Sequence, residues 1–376
     1  MLKEIVFTSS YSSQLGALIS LAHYFNNLEL KNHSKNIVVF HVSSKGDNSC
    51  NYSCFYDNAE VILGKNFNVK IIKINSIYKR LILLLCLYSF KIFGLDKNLS
   101  IWEPNPFWLK RLFYLKKFNF NLFRKDFKNI KFYGDGFLCL SEKSIPFWLD
   151  NGVFKSQNYS SSSIFYYFYK LHENKDTKNK YIEIKSSYIK NIFEKITSNQ
   201  NKTTEENFGK LLIFPLTTFS ETKRSSLESE IILYMEYLNK IVHNKKQHIL
   251  VKPHPGNLEI KNKLLISRLK EQKFNVINKI LEENIPLNLP LNIIPLELLI
   301  LELVKILNIN KKNISIALNS NATLSTCYLY PDVKHLDPFG EELIYKYIRK
   351  EFIKSRLIQE KILLKKIIQN KRWNQF

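Results

Sequence analysis

Two short polar segments carry side chains that could perform chemistry, and each follows a predicted strand. In YGDG, Asp135 lies between two glycines at a strand end. A carboxylate on such a turn is able to accept a proton from a hydroxyl nucleophile, although aspartate is also common in turns for local geometry alone. In KPHP, His254 lies between two prolines that restrict the backbone. An imidazole held there is suited to donate to a phosphate oxygen of a departing nucleotide, and an idle loop histidine is the alternative.

A third segment, ISIALNSNATLST, combines a strand with a polar turn and a predicted helix start. Ser320 and Asn321 lie in this turn. Hydroxyl and free backbone N–H groups at a helix N-terminus form an anion site, while an ordinary helix cap is the alternative. Upstream, Glu297 follows a proline in NIIPLELL. Its carboxylate is suited to bind ribose hydroxyls, or is simply exposed at a helix start.

Several familiar catalytic signatures are missing from the sequence. It contains no phosphate-binding P-loop, no GxGxxG, no HExxH and no GxSxG. No two aspartates stand two residues apart, so the element that usually holds the metal in metal-dependent nucleotide-sugar transferases is missing. The five cysteines are scattered without a zinc-site pattern, which indicates thiols in a reducing cytoplasm. We therefore expect a site that works without a metal.

Apolar runs of two periodicities alternate along the chain. Strand-like runs end at Pro and Gly residues and are separated by runs with helical spacing, which predicts parallel sheets with crossover helices. The predicted strands are residues 4–7, 36–42, 69–74, 131–133, 210–214, 248–251 and 314–318, and the helices include residues 14–30, 227–242 and 258–272. A polar stretch at residues 198–206 is the clearest linker. The sequence therefore predicts an α/β protein with two domains.

The charge of the chain is strongly basic. Its 376 residues include 56 Lys and Arg against 33 Asp and Glu, a formal net charge of +23. Such a bias favours a nucleic acid, an acidic membrane surface or a phosphorylated or carboxylated substrate, although a composition typical of AT-rich coding also explains part of it. The basic residues are dispersed and no helix-turn-helix or RNA-recognition signature is present. A nucleic-acid-binding protein therefore stays as an alternative, and no nucleic-acid partner is expected.

The order of the segments YGDG, KPHP, PLE and the serine-centred turn resembles that of bacterial sialyltransferases. The closest resemblance is to the lipooligosaccharide sialyltransferases and the capsule α-2,8-polysialyltransferases, and the opening VFTSSYSSQLGALIS is also similar to theirs. One departure is Gly134, which stands where the family has its first acidic residue. The resemblance implies a GT-B fold, in which two Rossmann-like domains face each other across a cleft. It also implies a CMP-sialic acid donor, inversion at the anomeric carbon and no cofactor.

Roles for individual residues come from this resemblance. Asp135 would be the general base on the acceptor hydroxyl, and His254 would assist the departing phosphate of CMP as a cation-like group. The residues expected at the donor are Lys252, Pro255, Glu297, Asn319, Ser320, Asn321 and Thr323, and those expected on the acceptor side are Ser9, Ser10, Gln14 and Gly136. The partners would be a nucleotide sugar and an acceptor glycan that could be lipid-linked. A GT-B transferase using CMP-Kdo or another sugar nucleotide is the alternative.

The expected domains are residues 1–205 on the acceptor side, residues 206–340 for the CMP-sugar, and a basic helix at 341–376. The start of the chain reads as a strand and not as a signal peptide. The apolar run at residues 81–90 is shorter than the ~20 residues needed to span a bilayer, so it is a buried helix or an interfacial segment.

The spacing of apolar residues in 341–373 predicts one long helix with Ile344, Ile348 and Phe352 on one face. Its basic side chains could bind an anionic membrane, or the helix could brace the first domain with its apolar face as core. These basic residues are Lys346, Arg349, Lys350, Lys354, Arg356, Lys361, Lys365 and Lys366. We therefore expect a cytoplasmic enzyme, either free or peripheral on the inner membrane face. The oligomeric state is not indicated.

Overall fold

The structure of the chain is a computed structural model. It describes residues 3–8, 10–27, 35–42, 52–92, 99–103, 130–133, 164–167, 180–197, 208–284, 289–320 and 322–373. Four predicted site residues lie outside these ranges, namely Ser9, Asp135, Gly136 and Asn321. The predicted linker at residues 198–206 also lies outside them.

The chain divides into two compact units between Ile196 and Thr197, just ahead of the predicted linker. The first unit contains a seven-stranded parallel sheet in the order β3-β2-β1-β4-β5-β6-β7. Its strands are β1 (Lys3–Thr8), β2 (Lys35–Val42), β3 (Phe67–Ile74), β4 (Leu99–Glu103), β5 (Ile130–Phe132), β6 (Ile164–Tyr167) and β7 (Lys180–Glu183). Its described helices are α1 (Tyr11–Asn27), α2 (Tyr52–Leu63), α3 (Ile77–Ile92) and α4 (Ser186–Thr197).

The second unit contains a five-stranded parallel sheet in the order β10-β9-β8-β11-β12. The strands are β8 (Leu211–Pro215), β9 (His248–Lys252), β10 (Asn275–Val276), β11 (Ile314–Ala317) and β12 (Lys334–Leu336). The helices are α5 (Leu227–Ile241), α6 (Glu259–Glu271), α7 (Asn278–Asn284), α8 (Leu296–Ile306), α9 (Ala322–Leu329), α10 (Glu341–Tyr347) and α11 (Lys350–Trp373).

The predicted α/β class is confirmed, and both sheets are parallel. The central strand β8 is buried at all five positions, as expected for a strand that helices cover on both faces. The strand order reverses between β1 and β4 in the first sheet and between β8 and β11 in the second. Both units are therefore compatible with a Rossmann-like domain. The seven predicted strands are present, and β4, β6, β7, β10 and β12 were not predicted.

The prediction of one long C-terminal helix is wrong. The backbone is extended at Ile348, and α10 ends there before α11 begins. The break is held by Arg349, whose N–H donates to the carbonyl oxygen of Arg224 at 2.9 Å. Ile344 and Ile348 are buried, and Phe352 packs partly buried against the same core, that of the second unit.

One of the basic residues expected at a membrane is not available to it, and a second is paired with an acidic side chain. Arg356 is only 4% exposed, because its guanidinium lies inside the second unit and pairs with Glu360 at 2.9 Å. Lys346 is exposed but pairs with Glu236 at 2.7 Å. These contacts make α10 and α11 part of the second unit's packing.

Candidate functional site

The carboxyl ends of β8, β9 and β11 form the edge of the second sheet where the polar segments gather. The strand order reverses between β8 and β11. In open parallel sheets, ligands bind outside the carboxyl ends of the strands at this reversal, because the two crossover connections leave it in opposite directions. The turn of His254 follows β9 and the turn of Ser320 follows β11, one on each side of β8.

His254 lies on a short turn whose geometry fixes its tautomer. The backbone N–H of Gly256 donates to His254 Nδ1 at 3.0 Å, and the backbone N–H of His254 donates to Asn257 Oδ1 at 2.7 Å. Because Nδ1 accepts a hydrogen bond, the neutral ring carries its proton on Nε2. The imidazole of His254 therefore offers its Nε2–H as a hydrogen-bond donor.

The pKa of His254 lies well below its ordinary value. Partial burial is the larger cause, and the positive charges of Lys252 and Lys261 lower the pKa further. The imidazole is then neutral at pH 7 in the unliganded protein, which differs from the cation-like histidine expected from the sequence.

A buried charge cluster ties the His254 turn to the loop that follows β8. Lys261 is fully buried on α6, and its Nζ donates to Glu230 Oε1 at 2.7 Å, to Glu221 Oε2 at 3.0 Å and to the Thr217 carbonyl oxygen at 2.8 Å. Glu221 also accepts from Asn257 Nδ2 at 3.2 Å, and that same amide donates to the Thr217 carbonyl oxygen at 2.7 Å. Burial of so many charged and polar groups is tolerated because they satisfy one another. The cluster holds the two loops in one arrangement.

The side-chain amide of Asn319 is notable for its hydrogen bonding. It is fully buried at the end of β11, and both its Nδ2 and its Oδ1 make no hydrogen bond to the described residues. A buried amide without partners destabilises a protein by about 1–3 kcal/mol. A ligand or an ordered water that supplied donors and acceptors here would be favoured for that reason.

The turn between β11 and α9 is closed by its own side chains. Thr323 donates both its N–H, at 3.1 Å, and its hydroxyl to the carbonyl oxygen of Ser320. Thr323 is fully buried, so its hydroxyl stabilises the turn. Ser320 is placed at the entrance to α9, where helix N–H groups favour an anion.

Lys252 and Glu297 are both buried behind this edge and influence each other electrostatically without a direct hydrogen bond. Lys252 is 6% exposed and donates from Nζ to the carbonyl oxygens of Pro253 at 3.0 Å and Asn292 at 3.2 Å. Glu297 is 2% exposed and accepts a hydrogen bond from the hydroxyl of Ser325. Burial lowers the pKa of Lys252 to about 7 and raises that of Glu297 to about 7, while their mutual attraction opposes both shifts.

The burial of Glu297 bears on its predicted roles. The exposed helix-start carboxylate is excluded, because Glu297 lies in the first turn of α8 but inside the protein. Contact with a ribose stays a prediction, and in this structure the carboxylate binds Ser325. Pro255, the remaining predicted donor-side residue, is exposed on the His254 turn.

Arg356 reaches the same strand edge from α11. Its guanidinium donates to the carbonyl oxygen of Asn319 at 3.1 Å and to Glu360 Oε1 at 3.0 Å. It also lies over the rings of Phe219 and Phe339, at 5.1 and 5.3 Å. Arg356 thereby links the end of β11 to the loop after β8.

Ser10 and Gln14, the predicted acceptor-side residues that the structure describes, lie just after the carboxyl end of β1. The Ser10 and Ser13 hydroxyls cap each other's N–H groups at 3.1 and 2.9 Å, which starts α1. Gln14 is 1% exposed, and its Nε2 contacts His41 Nδ1 at 3.0 Å. Thr8 contacts the same ring nitrogen at 3.0 Å. Ser10 and Gln14 are thus brought together with His41 from β2.

The structure brings Lys252, His254, Pro255, Asn319, Ser320 and Thr323 to one sheet edge, with Glu297 buried behind them. Sequence reasoning missed the groups that hold this edge, which are Thr217, Glu221, Glu230, Lys261 and Arg356. The polar run LTTFSE after a strand-ending proline was a usable signal for the loop. Nothing in the local sequence marks Arg356, because its partners are distant in the chain.

Within the described residues, no group of three or more His, Cys, Asp or Glu side chains could hold a metal ion. Compared with models of known protein families and with characterised proteins, the chain gives no match.

Proposed function

We propose that the chain is a glycosyltransferase that moves sialic acid from CMP-sialic acid to a glycan hydroxyl, with inversion and without a metal. The observation that carries the proposal is the position of His254, Ser320 and Asn319 at the strand-order reversal of the second sheet, where the buried amide of Asn319 has no hydrogen-bond partner among the described residues. The proposal includes a GT-B arrangement of the two Rossmann-like units.

The chemistry assigns one task to each group. The acceptor hydroxyl oxygen attacks the anomeric carbon, its proton passes to Asp135, and the bond from that carbon to the phosphate oxygen breaks to release CMP. His254 donates a hydrogen bond from Nε2 to the phosphate, which does not require a charged imidazole. Bound phosphate would raise the pKa of His254 and so strengthen this contact as charge develops on the leaving group.

Part of the basic composition lies inside the second unit, where it is not available to a nucleic acid. Three of the basic residues, Lys252, Lys261 and Arg356, are buried and engaged inside the second unit. Charge of this kind stabilises the loops around an anion site and offers no surface to a phosphate backbone. A donor bearing both a phosphate and a carboxylate suits such a site.

The test is release of CMP from CMP-sialic acid in the presence of an acceptor glycan, with and without EDTA. Asp135→Asn and His254→Asn are each expected to lower turnover by about 10². His243→Asn is the matched control for the histidine, because His243 is exposed in the same unit, and it should keep full activity. EDTA should leave the rate unchanged.

CMP-Kdo serves as the second donor in the same assay. Release of CMP from CMP-Kdo alone would replace the sialic acid in the proposal with another sugar. No release from either donor, together with no binding of CMP, would contradict the proposed function.

A further inference from the structure

The helix α3 of the first unit presents an apolar face to solvent. Tyr78, Leu81, Ile82 and Leu85 are 71%, 50%, 42% and 65% exposed. Their spacing of three, one and three residues places them on one side of the helix. Leu83, in contrast, is 4% exposed and points inward.

This face is unusual for a soluble surface. Single exposed apolar residues are ordinary, but a contiguous group of large ones marks an interaction site. The helix has 16 residues, and at 1.5 Å per residue it is about 24 Å long, shorter than the ~30 Å hydrocarbon core of a bilayer. Among the described residues, no helix is both long and apolar enough to cross a membrane. The helix α3 is therefore suited to lie flat against a bilayer or another protein, and not to cross a bilayer.

The charges of α3 decide between the possible occupants. Its sequence contains Lys79, Arg80 and Lys91 and no acidic residue, and Lys79 is exposed beside the apolar face. A second copy of the chain would bring the same basic helix and the same net charge of +23, so the two would repel. An anionic lipid surface satisfies both the apolar face and the adjacent cations.

We propose that α3 is a membrane-docking helix that inserts Tyr78, Leu81, Ile82 and Leu85 into the interface of an anionic bilayer. This surface is separate from the C-terminal segment expected from the sequence, in which Arg356 is buried and Lys346 is paired. The proposal does not depend on the sugar-transfer activity.

The experiment is flotation of the full chain with vesicles of phosphatidylglycerol and phosphatidylcholine, and with vesicles of phosphatidylcholine alone. The protein is expected to float with the anionic vesicles at low salt and to bind much less without the anionic lipid. The double variant Tyr78→Ser/Leu85→Ser should stay at the bottom of the gradient. Leu258→Ser/Ile260→Ser is the matched control, since these residues are 56% and 63% exposed in the second unit, and it should float like the wild type.

Thermal unfolding of each variant verifies that it is folded, and Lys79→Gln provides a milder second variant that should bind less at low salt and show a weaker dependence on salt. CMP release in the absence of vesicles reports separately on the proposed activity. Failure of the wild type to float, or equal flotation of the α3 double variant, would overturn the proposal. A dimer in solution that the α3 double variant converts to monomer would also overturn it, because a second copy would then cover the face.

Discussion

At the scale of single residues, the buried pair of Lys252 and Glu297 differs most from what its residue types suggest. Lysine and glutamate are rarely buried unless paired, and both lie here among backbone carbonyls and a serine hydroxyl. Their pKa values are both about 7, so their charge states change in the physiological range. The charge inside the second unit therefore changes with pH near neutrality.

We predict that Glu297→Gln alters the pH dependence of stability. The pKa of Glu297 is raised on folding, so its contribution to stability is complete below pH 4.5 and is lost as the pH rises through 7. Between pH 5 and 7.5, the free energy of unfolding of the variant should therefore improve relative to the wild type by on the order of 1–3 kcal/mol. Denaturant unfolding at several pH values measures this difference.

Glu236→Gln is the control for this prediction. Glu236 is a partly exposed carboxylate, and hydrogen bonds from Lys346 and Tyr347 lower its pKa. Its contribution is lost only as the pH falls below about 4.5, so the difference from wild type should be constant between pH 5 and 8. A Glu297→Gln difference that is equally constant would show that the carboxylate is ionised throughout.

At the scale of elements, the loops after β8 and β9 depend on helix α6 through one side chain. Lys261 bridges Glu221 of one loop, Glu230 of α5 and the backbone of Thr217. A loop held by such a buried cluster keeps His254 in place more firmly than local turn geometry would.

We predict that Lys261→Met destabilises the protein by about 3–5 kcal/mol, because Glu230 is left buried without its cation. Lys263→Met is the matched control on the same helix: Lys263 is 76% exposed and pairs with an exposed Glu259. Its melting temperature should equal that of the wild type within the error of the measurement. Equal effects of the two substitutions would contradict the assigned role of Lys261.

The C-terminal helix α11 supports the other side of the candidate site through Arg356. We predict that Arg356→Met lowers the affinity for CMP and destabilises the protein by about 3–5 kcal/mol, since Glu360 and the Asn319 carbonyl both lose a buried partner. Lys354→Met is the control, because Lys354 is exposed on the same helix. Calorimetric titration with CMP and thermal unfolding measure the two effects. Unchanged CMP affinity in a folded Arg356→Met protein would show that α11 does not support CMP binding.

At the scale of the whole molecule, the second unit has a substantial core made of its own residues. The second unit has its own sheet and a continuous apolar cluster to which α5, α6, α10 and α11 contribute. All the described residues of the candidate nucleotide site lie in this unit.

We predict that a fragment spanning Thr197–Phe376 folds on its own and binds CMP. A single cooperative unfolding transition and a CMP affinity within about tenfold of that of the full chain are expected, a difference of at most about 1.4 kcal/mol. Sugar transfer by this fragment is not expected, because Asp135 is absent from it. A fragment that is unfolded at 25 °C would show that the second unit requires the first.

The sequence alone predicted the α/β class and the positions of the residues that follow β9 and β11. These features are local: short apolar runs ended by Pro and Gly identify strands, and a polar turn after a strand locates a candidate site residue. Strand β8 was predicted at residues 210–214 and observed at Leu211–Pro215. Strands β4, β6, β7, β10 and β12 were not predicted, and the last four of these have only two to four residues, which carry little periodicity.

Only the tertiary structure decided which charges are buried and which apolar side chains are not. Arg356 resembles its basic neighbours in α11, yet its environment is set by Asn319, Phe219 and Phe339, which are distant along the chain. The apolar run of α3 was compatible with a buried or an interfacial helix, and only folding showed that one face is exposed. Burial depends on contacts between remote segments, so a local pattern predicts an element but not its surroundings.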